Sequence, residues 1–283
     1  MSQASRVAMA LLVLAATGGA LLWWRHPRPA PMLATSSAPA VPPTPPPAAT
    51  VVPTIRHPVP LPPSQPRGAQ PSLDNSDAYL DKALIDLLGR KAVRSFLGLD
   101  GIVRRIVATV DNLATDNAPA ERWPVQRTAG SFDTEVRDGG IVIGVQNADR
   151  YATFVRFVEG IDTRRAAALY VRLYPLFQQA YEDLGYPSKY FNDRLIDVIE
   201  NLLATPAVAG PIKVRRFEID GAAPRNGGLY LFEDPALEAS SAGQKILLRM
   251  GRGNATKLMA KLAEVRRELA IASDEIAPTS KAK

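Results

Sequence analysis

Cysteine is absent from this chain of 283 residues, and histidine occurs only twice. Both histidines, His26 and His57, lie in the front segment. From residue 72 onward there is neither thiol nor imidazole. That excludes Ser-His-Asp and Cys-His nucleophilic sites, Cys/His zinc sites and dithiol redox chemistry for the region downstream. Carboxylate acid–base work, a Ser-Lys pair and an all-oxygen metal site remain open. Acidic residues are absent from residues 1–71, which hold Arg6, Arg25, Arg28, Arg56 and Arg67. Of the 34 basic residues, 29 therefore face 28 acidic residues in the remainder. The high isoelectric point belongs mostly to the front end, so nucleic acid is not an expected partner. No glycine-rich phosphate loop or acidic metal loop is present, and no cofactor, metal ion or catalytic residue is assigned.

The front end instead carries one uncharged run. Residues 7–24, VAMALLVLAATGGALLWW, would span about 27 Å as a helix, close to a bilayer's hydrocarbon core. Trp23 and Trp24 close the run at the interface position, and Arg6 and Arg25 bracket it. A transmembrane anchor is the expectation; a cleaved signal peptide is the competing reading. The short tail 1–6 would stay in the cytoplasm, as in a signal anchor. Residues 26–71 hold 16 of the 25 prolines and few large apolar side chains. Such a segment favours polyproline II and reads as a stalk, with a ligand for a proline-binding module as the sharper alternative.

After residue 71 the texture becomes that of a folded domain, expected over 72–272, with a disordered tail at 273–283. Helical periodicity runs through SDAYLDKALIDLLGRKAVRSFLG, capped at Ser76 or Asp77, and through LDGIVRRIVATVDNLA, capped at Asp100. Residues 116–130 read as loop. SFDTEVRDGGIVIGV alternates about an Asp138-Gly139-Gly140 turn and predicts a β-hairpin. A second hairpin is predicted from 211–219 and 229–232. Between the hairpins the spacing predicts helices over about Ala148–Glu159, from an Asp162 cap to about Leu184, and from about Tyr190 to Ala204. Two helical stretches follow, DPALEASSAGQKILLRMG and NATKLMAKLAEVRRELAIA. The fold class is α+β, predominantly helical, with a small antiparallel sheet of about two hairpins.

Five of the eight tyrosines fall between Tyr170 and Tyr190. The stripe Leu169, Leu173, Leu176, Phe177, Ala180 and Leu184 assigns most of this block to a core. Polar groups left over are Gln178, Glu182, Asp193, Arg194 and the hydroxyls of Tyr186 and Tyr190. With Tyr181 they form the candidate ligand-binding set, a polar cleft with aromatic walls if they converge. Glu182 would serve as acid or base only with a partner group opposite. Ser241 and Lys245 have the spacing of a Ser-Lys pair, against an ordinary N-cap and an exposed lysine. Lys257, Lys261, Arg266 and Arg267 form a candidate contact for lipid headgroups or an anionic wall polymer, against a solvated helix face.

SDAYL, LLGRKA, IVRRIVATVDNLA, LYPLFQQAYEDLGYP, YFNDRLIDVIENLLATP and SAGQKILLRMG together resemble the bacterial family of domain of unknown function 3014, over about Leu73 to Leu269. The resemblance implies a single-anchor envelope protein with a proline-rich stalk, and it implies no activity. Ser240 stands where that pattern suggests leucine. The expected role is a binding or scaffold protein in the bacterial inner membrane, its domain in the periplasm and its partner an envelope protein or wall polymer. The alternative is a carboxylate-dependent enzyme or a domain sensing small ligands or lipids.

Overall fold

The computed structural model describes residues 55–59, 71–217 and 229–274. The apolar run 7–24, most of the proline-rich segment and the tail from 275 lie outside the described residues. Among the described residues no helix is long and apolar enough to cross a membrane.

A 3-10 turn at Leu73–Asn75 leads into α1 (Asp77–Leu88). The helical stretch expected to run on through residue 97 is two helices. Gly89 takes φ +82°, which α-helical geometry does not allow, and α2 (Arg90–Phe96) starts afresh after it. Next comes α3 (Ile102–Leu113), the most thoroughly buried helix, with Ile102, Val103, Ile106, Val107, Val110 and Leu113 all inside. Its N-terminus is capped from a distance. Asp77 accepts the N–H of Gly101 at 2.8 Å and of Ile102 at 3.3 Å, the task expected of Asp100. Asp77 is thereby taken from α1, and Ser76 makes no side-chain cap there either.

The two hairpins are β1 (Thr134–Arg137) with β2 (Gly140–Ile143), and β3 (Lys213–Phe217) with β4 (Leu229–Phe232). They meet: β2 pairs antiparallel with β3 at Ile141–Val214 and Val142–Lys213, giving a four-stranded sheet in chain order. Between the hairpins run α4 (Asn147–Glu159), α5 (Thr163–Asp183) and α6 (Phe191–Leu203). Asp162 caps α5 by accepting from Arg164 and Arg165. Pro175 lies within α5 without ending it; its missing N–H costs the helix one bond. The stretch after β4 divides into α7 (Pro235–Glu238) and α8 (Ala242–Arg249), followed by α9 (Arg252–Asp274).

The main core gathers α1, α3, α4, α5, α6 and α9 around α3 and α5. A smaller cluster of Val214, Phe232, Leu237 and Leu248 fastens the sheet to α7 and α8. Gly243 lets α8 approach closely: a Cβ there would stand 3.0 Å from the Leu113 carbonyl and 2.4 Å from a Leu202 methyl. The architecture is mostly helical α+β.

One stretch of the proline-rich segment belongs to this body. Residues 55–59, Ile-Arg-His-Pro-Val, lie against the start of α6, and Val59 is buried in the main core. His57 therefore sits on the folded domain, although its sequence neighbours read as stalk. No apolar periodicity marks this stretch, because a bent segment of five residues anchors through its backbone and one side chain.

Candidate functional site

The tyrosine block is built by the end of α5, the turn through Gly185 and the start of α6. Aromatic rings fill its interior. Tyr170 meets Tyr174 edge-on at 5.7 Å, Phe177 stacks on Phe191 at 6.0 Å, and Tyr181 stacks on Tyr186 at 4.6 Å. Burial pushes the Tyr170 and Tyr174 hydroxyls well above the ordinary tyrosine range. These groups are neutral hydrogen-bonding groups at any physiological pH.

The polar set divides into three groups. Gln178 and Glu182 form the first. Gln178 accepts from the Tyr174 hydroxyl at 2.8 Å and the Phe191 N–H at 2.9 Å, and donates to Glu182 at 2.8 Å and the Lys189 carbonyl at 3.0 Å. One amide thus staples α5 to the turn and to the first residue of α6. Glu182 is an exposed acceptor for that staple.

Tyr181, Tyr186 and Arg194 form the second group, around Asp111 of α3. Arg194 Nε donates to Asp111 Oδ1 at 2.8 Å, and the Tyr186 hydroxyl donates to Oδ2 at 3.2 Å. The Arg194 guanidinium also reaches the Asp111 carbonyl. Asp111 is mostly buried, so this pair locks α6 to α3. The Asp111 charge holds the Tyr186 hydroxyl above its ordinary value, and burial pushes that of Tyr181 up to about 12.

Tyr190 and Asp193 form the third group, and they face a polypeptide. The Asp193 carboxylate accepts two consecutive main-chain N–H groups, Arg56 at 3.1 Å and His57 at 2.7 Å. The Tyr190 hydroxyl accepts the Val59 N–H at 3.0 Å. Asn192, also at the start of α6, donates to the His57 carbonyl at 2.9 Å. Its other amide end accepts from the buried Tyr170 hydroxyl at 3.0 Å, which fixes the amide with its N–H groups towards the segment. Asp197, one turn further, pairs with the Arg56 guanidinium at 2.7 Å. Pro58, between His57 and Val59, has no N–H to place.

Sequence reasoning named Tyr190 and Asp193 but not Asn192 in this role, nor Asp197 or Tyr170. The available signal was the i, i+4 spacing of Asp193 and Asp197 on one face of an amphipathic helix, with Asn192 at the first turn.

The other candidate groups are engaged within the protein. Ser241 caps α8 by accepting the Gln244 N–H and donates to Asn201 at 2.7 Å. Lys245 is largely buried rather than exposed, and it donates to the Glu238 carbonyl at 2.9 Å and carboxylate at 3.2 Å. Neither meets the other as a nucleophile and base would. Ser240, buried, donates to the Ala236 carbonyl at 3.3 Å. On α9, Lys257 pairs with Glu159, Lys261 with Glu264, and Arg266 with Glu200, at 2.9, 2.7 and 2.7 Å. Arg267 acts electrostatically on Glu264.

A family model described as Protein of unknown function (DUF3014) matches residues 102–266, more than half of the chain. The match starts at the first residue of α3, so the blocks in α1 and α2 lie before it. No curated protein and no solved structure matches the chain.

Proposed function

This chain belongs to the family described as Protein of unknown function (DUF3014), and from that premise, which supplies no activity, we propose that its domain is a binding module for a short polypeptide segment bent as residues 55–59 are. The observation that carries this is the Asp193 carboxylate accepting two successive main-chain N–H groups. A side chain that reads backbone recognises conformation rather than one residue type, here a bend at Arg56 and His57 that turns two successive N–H groups to one side. Tyr190 and Asn192 continue the reading along the same segment. Selectivity comes from three positions: a base opposite Asp197, a residue needing no N–H at 58, and an aliphatic side chain buried at 59.

In this reading the chain's own residues 55–59 occupy the face in cis, and a partner segment of similar pattern competes for it. The uncharged run 7–24 and the proline-rich stretch support a wider role, a domain tethered to a bacterial inner membrane and binding envelope proteins.

The test uses full-length protein carrying Val59→Asp, which removes the apolar anchor of the cis segment. A fluorescent peptide of residues 53–60 is titrated against it and against Val59→Asp with Asp193→Ala. Saturable binding lost with Asp193→Ala supports the reading. Binding indifferent to Asp193, or none at millimolar peptide, removes it.

A further inference from the structure

A second concave surface lies away from the tyrosine block and shares no residue with it. It is a cavity of about 590 Å³ between the end of β2, the 205–212 loop, the end of α8 and the first turns of α9. That size falls within the range of about 300–1,000 Å³ typical of small-molecule sites. Val142, Ile143, Val208, Ile212, Leu248 and Met259 supply its apolar wall. At the rim Val145 is 71% exposed, a large apolar side chain left facing water.

The charge on this lining is one-sided. Its single acid, Glu135, is already used: it pairs with Arg137 at 3.5 Å and accepts the Val145 N–H at 2.9 Å. Arg249 and Arg252 also line the cavity and make no ion pair among the described residues. Arg249 donates to the Tyr230 carbonyl at 3.1 Å and lies 4.5 Å over the Phe232 ring. Burial lowers its pKa, as for a cation with incomplete compensation. Glu238, the acid that acts on it, is held by Lys245. Arg252 is exposed and opens α9, whose first turn has no acidic residue. A base at that end opposes the helix dipole, so an anion beside it relieves two unfavourable terms at once.

We propose that this cavity binds an amphiphile with one alkyl chain and an anionic head, the chain against Val142, Val208, Ile212 and Met259 and the head between Arg249 and Arg252. An uncharged apolar ligand would leave both guanidinium groups without an anion, and a compact anion would leave the apolar wall wet. A free fatty acid and an acidic phospholipid share the required chemistry.

The experiment uses the full chain in nanodiscs of phosphatidylcholine, labelled with a photoreactive dodecanoate and mapped by mass spectrometry. Labelling is expected in peptides containing 206–212 and 255–259. Dodecyl phosphate should compete and dodecyl maltoside should not. Arg252→Gln, at an exposed position, should weaken competition by about tenfold, the loss expected for one charge-assisted contact. Val208→Trp should fill the cavity and abolish labelling, with Met259→Trp as the second filling variant should the first not fold. A photoreactive phosphatidylglycerol marking the same peptides assigns the bilayer as the source; marking by the fatty acid alone assigns a free acid. Equal competition by dodecyl maltoside, or labelling unchanged by both Arg252→Gln and a folded filling variant, overturns the proposal.

Discussion

The Asp193 carboxylate accepts the main-chain N–H of His57 at 2.7 Å, across 136 positions of sequence. With the Arg56 N–H on its other oxygen, it makes Asp193 the clamp that holds a short bent stretch of the proline-rich segment to α6. The bond lies at the rim of the tyrosine block, and the buried hydroxyls behind it stay protonated.

Asp193→Asn should therefore release this stretch. Trypsin cleavage after Arg56 should accelerate by about tenfold or more, since a charge-assisted acceptor is worth about 1.5–3 kcal/mol. Glu182→Gln should leave that cleavage rate unchanged, because Glu182 bonds Gln178 and nothing of the stretch. Limited proteolysis followed by mass spectrometry separates the two carboxylates.

Breaking the Asp111–Arg194 pair should cost more than breaking any exposed pair on α9. With Asp111 at 11% and Arg194 at 26% side-chain exposure, Arg194→Met should destabilise by about 2–4 kcal/mol. Lys257→Ala should fall within about 1 kcal/mol of wild type, because its pair with Glu159 faces water. Urea unfolding midpoints at constant m-value check both figures.

Asp77→Ala should destabilise by about 1–2 kcal/mol, as for other helix N-caps. The effect should appear as faster amide hydrogen exchange in the first turn of α3, not of α1. Asp100→Ala should leave that turn unchanged, since Asp77 supplies the cap at Gly101 and Ile102.

Alkaline pH should unfold the domain cooperatively. Burial raises Tyr181 to about 12, and Tyr170 and Tyr174 also lie above their ordinary value. A raised value means the folded state holds these protons more tightly than the unfolded chain. The stabilisation is thus complete below about pH 10, the unfolded value, and lost as pH climbs towards and past 12. Absorbance at 295 nm should show Tyr230 ionising ahead of this step, because hydrogen bonds from Thr134 and Arg216 lower its pKa. The buried three should ionise together with loss of helical circular dichroism.

Much of the fold is legible in the sequence. The span from Asp162 to Leu184 was readable because a capping carboxylate, a 3.6-residue apolar stripe and a terminal Gly185 agree locally. The hairpin at Asp138-Gly139 was readable for the same reason. The break at Gly89 was harder, because the apolar pattern continues through it while the backbone does not. The candidate site was legible only as a set of residue types. Gln178, Arg194 and Asp193 look alike as polar residues on an aromatic helix pair, yet one staples a turn, one anchors α6 to α3, and one binds a bent segment.

Sequence by itself determined most of the helical stretches, the two hairpins, the missing thiol and downstream imidazole chemistry, and the uneven charge of the front end. These follow from composition and from contacts within a few residues. Only the tertiary structure decided which groups meet: Asp77 with α3, Asp111 with Arg194, β2 with β3, and Asp193 with the backbone of residues 56 and 57. Such pairings depend on how rigid elements pack in space, and a hydrogen bond to main chain leaves no mark on the residue type it reads.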